Sequence, residues 1–139
     1  MIVVDTTVLV YAVGAEHPLK QPCLDLLRLR TDSLTTTAGV IQEFVHVRSR
    51  RRPRPEAVGL ATAYLRLLSP LLDVPGAAVE DALELLEKHE GLGAFDAVLA
   101  ATARSAKCEA LVTADRAIGA VSGLTVVHPD TTGIARLIG

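Results

Sequence analysis

Four acidic residues occupy positions where a protein of alternating strands and helices can perform chemistry. Asp5 directly follows the apolar run 2–4, and Asp115 follows the apolar run 110–113 by two residues. Asp96 begins a nearly continuous apolar segment after a Gly-x-Gly sequence, and Glu43 lies at the border of the apolar stripe of another helical segment. In a parallel sheet, ligands bind beyond the carboxyl ends of the strands. The spacing therefore predicts that these acids meet at one edge of a sheet.

A cluster of this kind needs counter-charge. Two carboxylates about 5 Å apart repel each other by roughly 3 kcal/mol at an effective dielectric constant of about 20. Three or four of them cannot all stay ionised at neutral pH unless protons or cations enter the site. Hard oxygen donors without convergent His or Cys favour Mg²⁺ or Mn²⁺ over zinc. A divalent ion held in this way activates water against a phosphodiester bond.

Each acid also has a purely structural explanation. Asp is a favoured helix N-cap, worth about 1 kcal/mol, and Asp5, Asp96 and Asp115 all stand where helices or turns begin. Glu43 alone is typical of a solvated helical residue. The four together favour a site, because no Lys or Arg lies near enough in sequence to neutralise Asp96 at the start of its apolar helix.

The elements that must position these acids alternate along the chain. Short apolar runs predict strands over residues 2–4, 33–37, 71–74, 110–113 and 125–127. Helical patterns separate them, at about 18–30, 40–47, 56–68, 79–88 and 95–106, with a last helix from about 131. Strands that alternate with helices indicate an α/β fold with a mostly parallel sheet. A length of 139 residues predicts one domain, spanning 1–139.

Composition excludes several classes of protein. Half of the chain is hydrophobic, which is incompatible with disorder, yet only 3% is aromatic. Four rings, of which Phe44 and Phe95 are expected to face the core, argue against a nucleic-acid module that stacks bases on an aromatic platform. The net charge of −2 shows no general attraction for polyanions.

Location and redox state follow from simple counts. The longest apolar stretch, residues 8–13, is far shorter than the roughly 20 residues that span a bilayer. The first basic residue is Lys20, so the N-terminus lacks the charged start of a signal peptide. Cys23 and Cys108 fit neither a metal site nor a disulfide framework. We expect a cytoplasmic protein with reduced cysteines and no membrane association.

Four motifs occur in a characteristic order, namely IVVDTT at 2–7, QEF at 42–44, FDAVLAA at 95–101 and LVTAD at 111–115. Together they resemble the PIN domain, specifically the VapC-type toxins of type II toxin–antitoxin systems. The resemblance implies a three-layer α/β/α sandwich around a central parallel five-stranded sheet. It also implies a metal-dependent ribonuclease acting on RNA, a homodimer, and a VapB-like antitoxin that blocks the site.

The resemblance extends to individual residues. It implies a catalytic cluster of Asp5, Glu43, Asp96 and Asp115, of which Asp5, Asp96 and Asp115 hold Mg²⁺ or Mn²⁺. A water activated by the metal would attack the phosphodiester in line and leave a 5′-phosphate and a 3′-hydroxyl. Supporting hydroxyl groups are expected from Thr6, Thr7 and Thr113; capping or strand preference explains these threonines equally well.

One position departs from the family pattern. The family often carries a second Asp two residues after the fourth acid, followed by Phe, where this chain has Ala117 and Ile118. The cluster is therefore expected to contain four acids rather than five. This leaves one-metal chemistry in place and makes a second metal ion questionable.

A basic run follows Glu43 on the same helical segment. It consists of Arg48, Arg50, Arg51, Arg52 and Arg54. These side chains could bind RNA phosphates, or they could be a solvated helix end whose cations favour the C-terminal dipole. The four histidines show no ligand spacing, although His46 lies three residues from Glu43 on the same side of the helix.

Two other functions stay open at this stage. A phosphatase of the haloacid dehalogenase type also begins with a strand ending in Asp, but it needs a second Asp where this chain has Thr7. A non-catalytic α/β binding module would use the acids as caps and the arginine run as a contact surface. Stabilisation by Mn²⁺ distinguishes such a module from an acidic metal pocket.

Overall fold

The apolar runs on either side of the acids pair in one parallel sheet. In the computed structural model, which describes residues 1–139, β1 (Ile2–Val4) lies between β2 (Leu34–Thr35) and β3 (Ala110–Val112), and β4 (Val126–Val127) pairs with β3. Every residue of β1 and β3 is buried, as expected for strands that helices cover on both faces. Val4 pairs with Val112, so the chain leaves these two strands at the same level of the sheet.

Seven helices surround the sheet. They are α1 (Thr6–Val13), α2 (Lys20–Leu29), α3 (Ala38–Ser49), α4 (Arg54–Leu68), α5 (Gly76–Lys88), α6 (Ala94–Ser105) and α7 (Thr131–Ile138). Helix α2 packs on α1 and α7, while α3 packs on α4 and α5 on α6. The predicted α/β/α sandwich is confirmed. No helix of the structure has the length and apolar character needed to cross a membrane.

The predicted number of strands is wrong, because the sheet has four strands rather than five. The run at 71–74 forms a single parallel bridge between Leu72 and Thr37, with the Leu72 N–H donating to the Thr36 carbonyl oxygen at 2.9 Å. Pro70 and Pro75 flank this run and have no N–H to extend the ladder. Val74 is already 41% exposed, so the chain leaves the sheet edge after one residue pair.

One hydrophobic core joins these elements. Thirty-one buried residues form a single cluster, in which the Phe44 and Tyr64 rings meet edge to face with centroids 5.0 Å apart. The Tyr64 hydroxyl donates to the Leu9 carbonyl oxygen at 2.9 Å. These contacts tie α1, α3 and α4 together and fix the helix that carries Glu43. Cys23 and Cys108 are both free thiols.

Candidate active site

The acids meet where the order of strands reverses. Along the sheet the order is β2-β1-β3-β4, so the chain proceeds outward from β1 on one side and from β3 on the other. In such sheets the crevice beyond the carboxyl ends of the two central strands is the usual ligand site. Asp5 is the first residue after β1, and Asp115 is the third after β3. Asp5 and Asp115 are far apart in sequence, but the pairing of β1 with β3 places them at the same edge of the sheet.

Asp5 is held in one position by three hydrogen bonds. Its side chain is buried, with Oδ1 accepting from the Thr6 N–H at 2.7 Å, which caps α1. Its Oδ2 accepts from the Thr113 hydroxyl at 2.6 Å and from the Thr7 hydroxyl at 3.3 Å. Burial raises the pKa of Asp5, and these hydrogen bonds oppose that rise. Since a carboxylate offers about four acceptor positions, about one is left for another ligand.

Two threonine hydroxyls connect the ends of β1 and β3. The Thr113 hydroxyl accepts from the Asp115 N–H at 3.0 Å while donating to Asp5, and the Thr7 hydroxyl accepts from the Ala114 N–H at 3.0 Å. Asp115 Oδ1 in turn accepts from the Ala117 N–H at 2.9 Å and caps the short 3₁₀ helix at Arg116–Ala120. Asp5 and Asp115 are therefore both N-caps and neighbours in one crevice. The two explanations of these acids are compatible.

Asp96 is not a cap. It is the third residue of α6, whose N-cap position is Gly93. Partial burial raises the pKa of Asp96 to about 7, and hydrogen bonding with Asp115 and the charges of Asp5, Asp115 and Glu43 raise it in the same direction. A carboxyl group that stays protonated to this pH lies in a crowded acidic site. Asp96 thus reports that the four acids share one electrostatic environment.

Glu43 approaches this environment from α3. Burial and the charge of Asp5 raise the pKa of Glu43, whereas the Thr6 hydroxyl and His46 lower it. Thr6 Oγ1 is buried and makes no hydrogen bond of regular geometry, so the approach of Glu43 is its main polar contact. A buried hydroxyl without a firm partner is costly in a native structure. Thr6 accordingly has capacity for a further polar ligand in the crevice.

The donor set fits a hard divalent cation in chemistry. No group of three or more His, Cys, Asp or Glu side chains is placed so that it could hold a metal ion between its members. Mg²⁺, however, is usually held by one or two carboxylates and keeps several of its waters. Asp5, with about one acceptor position left, and the acidic pair Asp96 and Asp115 supply that kind of incomplete, oxygen-only set. The cost of holding these acids together falls when a cation enters.

The arginine run does not form one surface. Arg48 pairs with Glu56 at 2.8 Å and joins α3 to α4. Arg48, Arg51 and Arg52 line a groove of about 320 Å³ with Val47 and the end of α1. Arg54 instead lines a larger groove with Glu43, and Arg50 lines neither. Among the five arginines, only Arg54 shares a groove with a predicted catalytic acid.

The larger groove contains residues that the sequence did not single out as functional. It has a volume of about 730 Å³ and is lined by Gly39, Gln42, Glu43, Val45, His46, Ser49, Arg54, Val58 and Phe95. Phe95 was expected in the core, but 37% of it is exposed. It precedes Asp96 in the first turn of α6, where the helix faces the groove rather than the sheet. The only sequence signal for His46 was its spacing from Glu43.

Comparison with known proteins assigns the chain to a family. The family model of the PIN domain matches residues 2–124. The chain belongs to the PIN domain family.

Sequence relatives narrow the comparison within that family. The chain is 50% identical to Ribonuclease VapC7 of Mycobacterium tuberculosis over an alignment that covers 100% of this chain and 99% of the relative. It is 32% identical to Ribonuclease VapC13 of the same organism, covering 89% of this chain and 97% of the relative. The chain is thus a homologue of VapC ribonucleases, and the resemblance noted in its sequence is confirmed.

Solved structures agree on the fold. VapBC2 from Rickettsia felis, bound to a DNA fragment from its promoter, matches with a TM-score of 0.74 and 21% identity over 92% of this chain and 98% of that chain. FitAcB from Neisseria gonorrhoeae matches with a TM-score of 0.71 and 18% identity over 93% of this chain and 98% of that chain. At this level of sequence identity, the similarity to these structures shows a shared fold and nothing further.

Proposed function

We propose that this protein is a divalent-metal-dependent endoribonuclease of the VapC type, which hydrolyses RNA at the crevice between β1 and β3. The observation that carries the proposal is the position of Asp5 and Asp115 at the ends of two paired strands, where the Thr113 hydroxyl donates to Asp5 and accepts from the Asp115 N–H. The pKa of Asp96, which burial raises and to whose rise Asp115, Asp5 and Glu43 contribute, supports the same grouping. Four acids that are far apart in sequence thereby form one site at the edge of the sheet where ligands bind. The kinship with VapC ribonucleases supports RNA as the substrate.

The residues divide the work according to their contacts. Asp5 is the most rigid acid, since three hydrogen bonds fix its carboxylate, and it provides a fixed oxygen ligand. Asp96 keeps its proton to a higher pH than an ordinary aspartate, because burial and its neighbours raise its pKa to about 7, and a bound cation would favour its ionised form. Glu43 is less buried than Asp5 and faces the groove, where it can orient a water toward a scissile phosphate.

Mg²⁺ or Mn²⁺ is the proposed cofactor. Such an ion, when bound, polarises a phosphoryl oxygen and lowers the pKa of water enough to make it a nucleophile at neutral pH. Asp5, Asp96 and Asp115 would hold it. Because Ala117 stands where the family often has a fifth acid, we propose a single metal ion.

Antitoxin binding, dimerisation and location complete the proposal. The solved relatives include VapBC2, whose name denotes a toxin–antitoxin pair, and this supports a VapB-like antitoxin as a partner. We further propose a homodimer, as the resemblance to VapC toxins implies. Since the proposed substrate is cellular RNA, the proposed place of action is the cytoplasm.

The two other functions are not favoured. A haloacid dehalogenase-like phosphatase needs a general acid where this chain has Thr7, whose hydroxyl is engaged by Asp5 and the Ala114 N–H. A non-catalytic binding module does not account for an acid whose pKa burial and three neighbouring acids raise to about 7. Carboxyl groups with raised pKa values cluster at functional sites.

Cleavage of a labelled single-stranded RNA pool tests the proposal. We expect cleavage that requires Mg²⁺ or Mn²⁺, stops with EDTA and yields 5′-phosphate ends. Asp96→Asn should abolish it while the circular dichroism spectrum stays unchanged. Asp81→Asn, the same substitution at an exposed position on α5, is the matched control and should cleave at the unmutated rate. Full activity of Asp96→Asn, or activity in EDTA, would refute the assignment.

A further inference from the structure

One aromatic ring lies on the surface beside the acids. Phe95 precedes Asp96 in α6 and is 37% exposed, although the other phenylalanine, Phe44, is fully buried. Its ring lies directly on the backbone of α3, since a Cβ added at Gly39 would stand 3.2 Å from Phe95 Cε2. A methyl group at position 39 would make this contact tighter than usual, so the ring would have to shift slightly. The ring therefore contacts α3 and is also partly exposed to solvent.

The groove next to this ring has the polar groups of a phosphate site. Arg54 and His46 line it together with Glu43, so donors to a phosphate and the acidic crevice adjoin the same space. Arg54 forms no ion pair in the structure, and both side chains are exposed. A volume of about 730 Å³ falls within the usual range for small-ligand sites, about 300–1,000 Å³.

We propose that this groove is a nucleotide subsite, which binds the nucleotide of single-stranded RNA next to the scissile phosphate. The base stacks on Phe95, and the adjoining phosphate is held by Arg54 and His46. The inference rests on the proposed ribonuclease function and adds how the substrate is positioned at it. RNA-binding proteins commonly recognise single strands by stacking unpaired bases on aromatic side chains.

Charge and shape favour a nucleotide over a protein segment in this groove. A peptide helix would need a continuous apolar surface, whereas here the apolar groups are one ring and two valines between polar side chains. A nucleotide needs one flat apolar surface and a cation in the same groove, and Phe95 and Arg54 both line this one. Glu43 lines the same groove, so a nucleotide bound there would lie beside a residue of the proposed cleavage site.

The test compares side chains at position 95 on RNA that stays intact. In an Asp96→Asn background, fluorescence anisotropy measures binding of a labelled single-stranded RNA oligomer. Phe95→Leu keeps an apolar side chain against Gly39 but removes the ring face, so we expect the affinity to fall roughly 5- to 100-fold. Phe95→Tyr keeps the ring face and should restore most of that loss. Leu29→Ala truncates an exposed apolar residue at the end of α2 and should bind like the parent protein.

Abasic substrates locate the contact. In otherwise unmutated protein, Phe95→Leu should lower kcat/KM on intact RNA and have little effect on an oligomer whose nucleotide beside the cleavage site lacks its base. An equal loss on both substrates would overturn the stacking contact. Unchanged RNA binding in Phe95→Leu would also overturn it, even where association with a VapB-like antitoxin weakens, because the groove would then be a protein-binding surface. These results are distinguishable from failure of the proposed function, in which unmutated protein cleaves no RNA.

Discussion

Replacing Asp96 with Asn removes one charge from the acidic site while keeping the size and shape of the side chain. In the metal-free protein this charge is unfavourable, because burial and three neighbouring acids raise the pKa of Asp96 from 3.8 to about 7. The carboxyl group therefore binds its proton more tightly in the folded protein than in the unfolded chain. As the pH rises from about 4 to about 7, the unfolded chain ionises first, and the free energy of unfolding falls.

The size of the effect follows from the width of this pH window. Between pH 5 and about 7, the unfolded carboxyl is ionised and the folded one is not, which is worth about 2.7 kcal/mol at roughly 1.36 kcal/mol per pH unit. Since Asp96 is only partly buried, solvent screening reduces this figure by about half, to about 1.4 kcal/mol. Above pH 7 both states are ionised and the difference stays constant. Asparagine does not titrate, so the free energy of unfolding of Asp96→Asn should not fall in this way as the pH rises.

Urea unfolding in EDTA at pH 5 and pH 8 measures the effect. Relative to the unmutated protein, Asp96→Asn should gain about 1.4 kcal/mol between the two pH values, and Asp81→Asn on exposed α5 should gain less than about 0.5 kcal/mol. At pH 8, Mg²⁺ should stabilise the unmutated protein more than Asp96→Asn. An ion at 100 times its Kd adds about 2.7 kcal/mol to the free energy of unfolding of a protein that binds it. A difference between Asp96→Asn and the unmutated protein that is the same at both pH values would refute the raised pKa of Asp96.

Three further predictions concern the groups around Asp96. Thr113→Val should lower the free energy of unfolding by about 1–3 kcal/mol in urea titrations, because it removes a buried 2.6 Å hydrogen bond to Asp5; a loss below about 0.5 kcal/mol would contradict that role. Mn²⁺ should raise the melting temperature of the unmutated protein but not of Asp5→Asn, and equal shifts in calorimetry would place the ion elsewhere. Arg54→Glu should reduce the slope of log Kd for single-stranded RNA against log salt by about 0.7 or more, while Arg50→Glu, outside both grooves, changes it less.

The sequence alone predicted the class of fold and the acids of the candidate site. Apolar runs such as Ile2–Val4 and Ala110–Val112 are typical of buried strands, and the helical patterns between them favoured parallel pairing. Parallel strands end at one edge of the sheet, so residues that follow them directly, such as Asp5, are placed by local pattern and chain connectivity. Such predictions depend on residues that are close in sequence, and they succeed where a single strand or helix fixes the position of a residue.

Tertiary structure decided what depends on contacts between distant segments. The predicted fifth strand is a single bridge at Leu72, because the flanking prolines have no N–H groups to extend the hydrogen bonding at the sheet edge. The arginine run divided, since the turn after α3 directs Arg54 to the groove of Glu43 and Arg51 to another. Composition argued against base stacking, yet the Phe95 ring lies against Gly39 of α3 and the residue is 37% exposed.

The protonation of Asp96 is the clearest case of such a tertiary effect. As a sequence feature, Asp96 is one acid at the start of an apolar helix, and an N-cap would look the same. Its pKa of about 7 exists because folding partly buries the carboxyl group and brings Asp115, Asp5 and Glu43 within electrostatic reach. Coulomb energy depends on distance through space, which local sequence does not specify. The sequence predicted which side chains form the candidate site, and the packing of the helices and the pairing of β1 with β3 decided how they interact.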